Sequence, residues 1–254
     1  MKINRRNFLI VGGFGALGAG MVSATKSFGR KVQAGQGMPA PKWALAVDLQ
    51  KCWAGQQAGC HDCLNACNKA HNIPQMNEPK DEIKWIWLAP FEKVLPGQQH
   101  DFLPEGIKEK PVVTLCNHCD NPPCVRVCPT KATFKSAEGV VTMDYHRCIG
   151  CRYCMAACPY GARSFNFRDP RPFIPEREMT YPTREKGVVE KCNFCAERLE
   201  EGLRPSCVEA CSYGALIFGD LSDPQSEVRE ILRQRYSLQR KPQLGTDPKV
   251  YYLI

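Results

Sequence analysis

Residues 148–159 read Cys148-Ile149-Gly150-Cys151-Arg152-Tyr153-Cys154-Met155-Ala156-Ala157-Cys158-Pro159. The spacing is C-x2-C-x2-C-x3-C-P, which ligates iron–sulfur cubanes. Each iron of a 4Fe–4S cubane takes one thiolate. Three closely spaced thiolates on a tight loop grip one face of the cube, and the same short loop cannot also reach the fourth corner. Where two such runs cooperate, the last Cys of each run serves the other run's cluster.

The chain repeats this chemistry. Its sixteen cysteines fall into four blocks of four. They are Cys52, Cys60, Cys63, Cys67; Cys116, Cys119, Cys124, Cys128; Cys148, Cys151, Cys154, Cys158; and Cys192, Cys195, Cys207, Cys211. A disulfide framework is the first alternative, but it belongs mainly to short exported chains without a sufficient core. This chain has 254 residues. Zinc suits paired C-x2-C sites and would fit the second and fourth blocks alone, but not the third. Covalent haem needs C-x-x-C-H. Leu64, Asp120, Met155 and Ala196 stand where that His would be. The first block is the irregular one, because seven residues separate Cys52 from Cys60.

Formal net charge is +8, which by itself suggests a nucleic-acid partner. A cubane core of about +2 with four thiolates makes each site about −2, so four sites offset the excess. The cations are expected to balance buried anionic clusters and to dock partners. No basic block marks a nucleic-acid tail.

The chain begins Met1-Lys2-Ile3-Asn4-Arg5-Arg6-Asn7-Phe8-Leu9, which resembles a twin-arginine export signal. Residues 8–22 are apolar and Gly-rich, shorter than the roughly twenty that span a bilayer. A weak membrane anchor is the alternative reading. Val22-Ser23-Ala24 and Val32-Gln33-Ala34 both suit cleavage. Gly13 to Gly18 match G-x-G-x-x-G, but without the strand and acidic residue that a nucleotide site requires.

An internal repeat organises the body. Cys128-Pro-Thr-Lys-Ala132, Cys158-Pro-Tyr-Gly-Ala162 and Cys211-Ser-Tyr-Gly-Ala215 align. Each leads into an apolar or aromatic stretch with strand character, at Thr133-Phe134, Ser164–Phe167 and Leu216–Gly219. The expected unit is a cluster loop, a short helix ending at the fourth Cys, then a strand. Residues 72–111 form an insert with Trp85 and Trp87, expected to cover a cluster face or a partner, or to be ordinary core. Residues 168–187 read as a surface loop. Ser222 is placed to cap a helix over about 224–236, and Lys249–Ile254 reads as a last strand.

Three features together resemble a known family: the four blocks, Leu115-Cys-Asn-His-Cys-Asp-Asn-Pro-Pro-Cys-Val-Arg-Val-Cys-Pro129, and Asp144-Tyr-His-Arg-Cys148 running on to Arg163. It is the four-cluster ferredoxin subunit of complex iron–sulfur oxidoreductases, as in dimethylsulfoxide and polysulfide reductases and the nitrite-reduction complex. The resemblance covers about residues 42–254. Within it, the twin-arginine start, Ala70–Pro74, Phe167–Phe173 and the Gly245–Tyr252 ending most resemble the DsrO branch, the periplasmic subunit of DsrMKJOP membrane complexes of sulfur metabolism.

The resemblance implies an α+β fold of two pseudo-symmetric bacterial-ferredoxin-like units, each with two 4Fe–4S clusters, and inserted loops. Residues 1–34 would be the signal, 42–71 plus 186–254 the outer unit, 72–111 the insert and 112–185 the inner unit. All sixteen cysteines would ligate iron. Cys116, Cys119 and Cys124 would share a cluster with Cys158; Cys148, Cys151 and Cys154 with Cys128; Cys52, Cys60 and Cys63 with Cys211; and Cys192, Cys195 and Cys207 with Cys67. The implied partners are an integral quinone-interacting subunit of the NrfD/DsrP type and a periplasmic multihaem cytochrome c or other redox subunit. The site would be periplasmic or the outer face of the cytoplasmic membrane. No catalytic residue, small-molecule substrate or nucleic acid is expected, so the chain reads as an electron wire for sulfite or sulfate reduction or sulfur oxidation. Two other readings are the electron-transfer subunit of a molybdopterin oxidoreductase and a non-redox metal scaffold.

Overall fold

A computed structural model describes residues 40–104 and 106–254. The twin-arginine segment, both cleavage candidates and the G-x-G-x-x-G match lie outside them. Strand β1 (Trp43–Asp48) is buried along almost its whole length, as a strand covered on both faces must be. Asp48 ends it and caps helix α1 (Leu49–Gln57), accepting from the amides of Gln50 at 3.1 Å and Lys51 at 3.2 Å. Helix α2 (Asp62–Ala70) carries Cys63 and Cys67, which the helical period puts on one face. After the insert's strand β2 (Ile86–Pro90) and helix α3 (Phe91–Val94), strand β3 (Pro111–Leu115) returns antiparallel to β2, with Ile86 opposite Leu115.

The repeated unit then appears as expected. Helix α4 (Pro123–Arg126) precedes Cys128, and strands β4 (Thr133–Lys135) and β5 (Val141–Met143) pair behind it. Helix α5 (Tyr153–Ala157) leads to Cys158, then strand β6 (Ser164–Phe165), which pairs with β7 (Val189–Glu190). Helices α6 (Ala196–Glu200) and α7 (Ser206–Glu209) carry the fourth block into strand β8 (Leu216–Asp220). Helix α8 (Glu227–Gln234), strand β9 (Ser237–Leu238) and strand β10 (Val250–Leu253) close the chain.

The main sheet has the order β8-β1-β10-β9, with β10 parallel to β1 and the other pairs antiparallel. Alternation along β1 divides its burial. Leu45 and Val47 enter the main core with Leu115, Phe218 and Tyr252. Ala44 and Ala46 face the smaller core of Ile217, Val228 and Leu253, where Ile231 and Leu232 of α8 also pack. The helices pack across blocks, α2 against α7 and α4 against α5. The fold is thus mixed helix and strand. The described residues form one compact unit, and β2 of the insert is joined to the following segment through β3.

Two expectations are corrected. The last helix starts at Glu227 with Ser226, not Ser222, at its cap position. Ser222 instead donates its amide to Asp220 at 2.7 Å, and an Asp223 turn delays the helix. Residues 168–187 are not wholly a surface loop. Arg184 is 2 % exposed and pairs with buried Glu190 at 2.7 Å. The Trp85 indole donates to the same Glu190 at 3.0 Å. Trp85 is therefore core, whereas Trp87 is only partly buried against it.

Candidate metal centres

Three cavities are lined by cysteines, and each takes three from one block and one from another. Cys52, Cys60 and Cys63 meet Cys211 in the first. Cys192, Cys195 and Cys207 meet Cys67 in the second. Cys116, Cys119 and Cys124 meet Cys158 in the third. Of the remaining four, Cys148 and Cys154 pack with Cys124 beside Val141 and Val189. Cys151 is exposed and Cys128 half-buried. Leu88 and Val113 of the β2–β3 pair wall the first cavity, and Trp85 and Ile86 wall the second.

Local backbone geometry repeats with the sequence. The residue before the second Cys of each C-x2-C pair is left-handed in blocks two, three and four: His118 at φ 41°, Gly150 at 69° and Phe194 at 55°. In blocks two and four the pairs that flank this turn are buried. After the fourth Cys, the third residue is again left-handed, at Lys131, Gly161 and Gly214. That turn points the next amide back at the sulfur. Ala215 donates to Cys211 Sγ at 3.2 Å, and the amides of Ala132 and Ala162 do the same for Cys128 and Cys158. The first block differs: Asp62 is helical, and α2 runs through Cys67 to Ala70. Its irregular spacing is thus matched by irregular geometry, with Cys52 held on α1 and hydrogen-bonded by Gln56 at 3.1 Å.

The sets also adjoin one after another. Cys67 of the second set has Cys63 of the first as a neighbour, Cys192 has Cys116 of the third, and Cys154 has Cys124. Burial, with adjacent cysteines adding to it, pushes the Cys52 thiol up to about 11 and those of Cys63 and Cys119 to about 12. Cys67 and Cys207 are driven well above the ordinary range by burial and by their neighbours. Thiols so arranged cannot all ionise in an apolar cavity. A cationic metal core supplies the missing charge and turns them into thiolates. All sixteen are free thiols, with no disulfide among them. The donor set therefore fits iron–sulfur clusters.

Several residues at the cavities were not legible in the sequence. His71, 1 % exposed, lies beside Cys195 and Glu197, with Nε2 2.9 Å from the Glu197 carboxylate. His118 stacks on Phe194 at 3.7 Å and accepts from the Val141 amide at 3.1 Å. Arg163, Lys191, Arg240 and Lys249 are all buried. The only signal available for Lys191 was its place directly before Cys192.

Comparison with known proteins follows the same lines. A 4Fe–4S dicluster domain matches residues 110–171 and 174–221. The chain is 40 % identical to iron–sulfur subunit 1 of an Hdr-like menaquinol oxidoreductase from Archaeoglobus fulgidus, over 98 % of this chain and 97 % of that one. This chain belongs to the ferredoxin-type iron–sulfur subunits of oxidoreductase complexes. Other members are the iron–sulfur cluster-binding subunit of menaquinone reductase from Nitratidesulfovibrio vulgaris, 40 % identical over 84 % of this chain and 88 % of that one. The iron–sulfur subunit of the arsenate respiratory reductase from Shewanella is 37 % identical, over 82 % and 94 %. As a member of this family the chain is an electron-transfer component that binds 4Fe–4S clusters, and not the catalytic subunit.

Proposed function

We propose that the chain holds four 4Fe–4S clusters and carries electrons between a quinone-interacting membrane subunit and a second redox subunit. The single observation that carries this reading is the cross-block sharing of cysteines in three cavities, with Cys148 and Cys154 packed next to the third. All sixteen cysteines are assigned as ligands, and the fourth set is Cys128 with Cys148, Cys151 and Cys154. When bound, the clusters supply reversible one-electron chemistry. The protein's own residues orient the thiolates, donate amides to their sulfurs and exclude water from the cavities. Two pseudo-symmetric units follow from the same sharing, an outer one of blocks one and four and an inner one of blocks two and three, with residues 72–111 inserted.

The membrane partner is assigned to the NrfD/DsrP type and the other to a multihaem cytochrome c or similar redox subunit. Names of the menaquinol and menaquinone relatives support the quinone link. The sulfur-metabolism assignment and the DsrO likeness rest on the motifs at 70–74, 167–173 and 245–252. A second reading, the electron-transfer subunit of a terminal reductase, is favoured by the arsenate reductase relative. Among the described residues no helix is long and apolar enough to cross a membrane. The twin-arginine motif supports docking on the outer face.

Anaerobic analysis tests the cofactor count, with roughly 16 iron and 16 sulfide per chain expected for four cubanes. A zinc-dominated preparation overturns the reading. Changing Arg5 and Arg6 to Lys should strand loaded protein in the cytoplasm. Copurification of the complex through a tag on this chain decides between the two partner sets.

A further inference from the structure

The charge around the cysteine sets is unequal. Arg163 lines the third cavity, directs its guanidinium to Thr133 Oγ1 at 2.8 Å and Met143 Sδ at 3.2 Å, and stands between Cys124 of the third set and Cys154 of the fourth. Lys191, 1 % exposed, donates to the carbonyls of Cys192 and Val141, and Val141 lines that same cavity. Arg240, buried, reaches the Val94 carbonyl at 3.3 Å and the Tyr160 carbonyl at 3.5 Å, and lies 5.2 Å over the Tyr160 ring. Lys241 donates to the Pro159 carbonyl at 2.9 Å. Tyr160 and Pro159 are both walls of the third cavity. Among the described residues none of these four cations forms a salt bridge with a carboxylate.

The carboxylates nearest the first two sets are already paired, Asp48 near Cys52 with Arg235 and Glu197 beside Cys195 with His71 at 2.9 Å. Of the four unpaired cations only Lys191 also borders the second set, through Cys192. Burial does not separate the third set from the second, whose Cys67, Cys192, Cys195 and Cys207 are all buried, whereas the first set's cysteines are half-buried. A buried cation without an anion is costly. Iron held by four thiolates provides the anion, and its charge becomes more negative on reduction.

We propose that the third set, Cys116, Cys119, Cys124 and Cys158, has a higher reduction potential than the first and second sets, its added electron stabilised by Arg163, Lys191, Arg240 and Lys241. The inference rests on four-cluster loading. One electron enters this site and its donor site is oxidised by one. No proton, bond or ligand changes place.

The test is a mediated redox titration of the loaded full-length chain, followed by electron paramagnetic resonance. Cys119→Ser should abolish or transform one signal, which assigns it to the third set. Cys63→Ser and Cys207→Ser assign those of the first and second sets, and the third-set signal should appear before both on reduction. Lys191→Gln and Arg163→Gln keep a hydrogen-bond donor and remove the charge. Each should move that signal to lower potential by at least tenfold in the reduced-to-oxidised ratio, about 59 mV for one electron. Signals of the Cys52 set should stay in place, and Lys191→Arg should restore the parent value. If the interior variants do not accumulate, Lys241→Gln decides, with a shift of the same sign. A third-set signal that appears after that of the first or the second set overturns the proposal, as do Gln variants that shift every signal or none. Low iron would count against four-cluster loading, whereas a fully loaded chain whose third-set signal titrates below those two counts against this inference alone.

Discussion

Lys131 holds at φ 56° the backbone position that Gly161 and Gly214 hold in the two sister turns. A left-handed backbone costs a side-chain-bearing residue about 1–2 kcal/mol. A Cβ at Gly214 would meet nothing within 4 Å, so Gly214→Ala meets the backbone cost without a clash. Chemical denaturation should show a loss of about 0.5–1 kcal/mol, because alanine's smaller freedom in the unfolded chain offsets part of the strain. Lys131→Gly should gain about the same, since glycine's freedom in the unfolded chain offsets part of the relief. Asp48 offers a pH test. Burial raises its carboxyl, but Arg235 and the Lys51 amide outweigh this and hold it below the ordinary 3.8. A depressed folded value contributes stability that is fully present above about pH 4 and lost as pH falls through that lowered value. Asp48→Asn should lose stability at pH 7 and show a flatter acid limb than the parent. Because the acid lability of the thiolate sites is common to both proteins, the difference between their denaturation midpoints is the measurement. A limb of unchanged slope would count against the Arg235 pairing.

Between elements, the buried carboxylate of Glu190 ties β7 to distant segments. It accepts from the Trp85 indole of the insert, from the Asn166 amide after β6 and from Arg184. Arg184 in turn donates to the carbonyls of His71 and Asn72, just past α2. Removing one partner of a buried pair leaves the other charge uncompensated, at about 3–5 kcal/mol. Glu190→Gln should therefore destabilise the chain by that order. It should also loosen the wall that Trp85 gives the second cavity, read as faster loss of iron to a chelator. Iron loss at the parent rate would mean that this network supports the fold without guarding the cavity.

At the scale of the whole molecule, the cysteine sets and the buried cations depend on each other. Stripping iron anaerobically from the loaded chain leaves converging thiols on one side and Arg163 and Lys191 without anions on the other. Thermal unfolding should therefore fall steeply on iron removal, and reconstitution with iron and sulfide should restore it. An apo chain as stable as the loaded one would argue against a structural role for the metal.

The cysteine blocks alone carried the cluster chemistry, because ligand spacing on a tight loop is a local property. The grouping of Cys116, Cys119 and Cys124 with Cys158 was also within reach, since a short loop cannot wrap a whole cube, whereas the grouping of the outer blocks came from the family resemblance. The short helices before Cys128, Cys158 and Cys211, and the strands after them, followed from the repeat. The cap of the last helix was misplaced by four residues, since Ser222 and Ser226 offer equal local signals and only the Asp220 and Asp223 turns choose between them. Arg184 looked like surface and is core, because Glu190 is buried on β7 and the carbonyls of His71 and Asn72, far away in sequence, complete its partners. Most of all, Arg163, Lys191 and Arg240 appear in the sequence as three among many cations. Only folding sets them around one cavity, where the low dielectric makes their charge count.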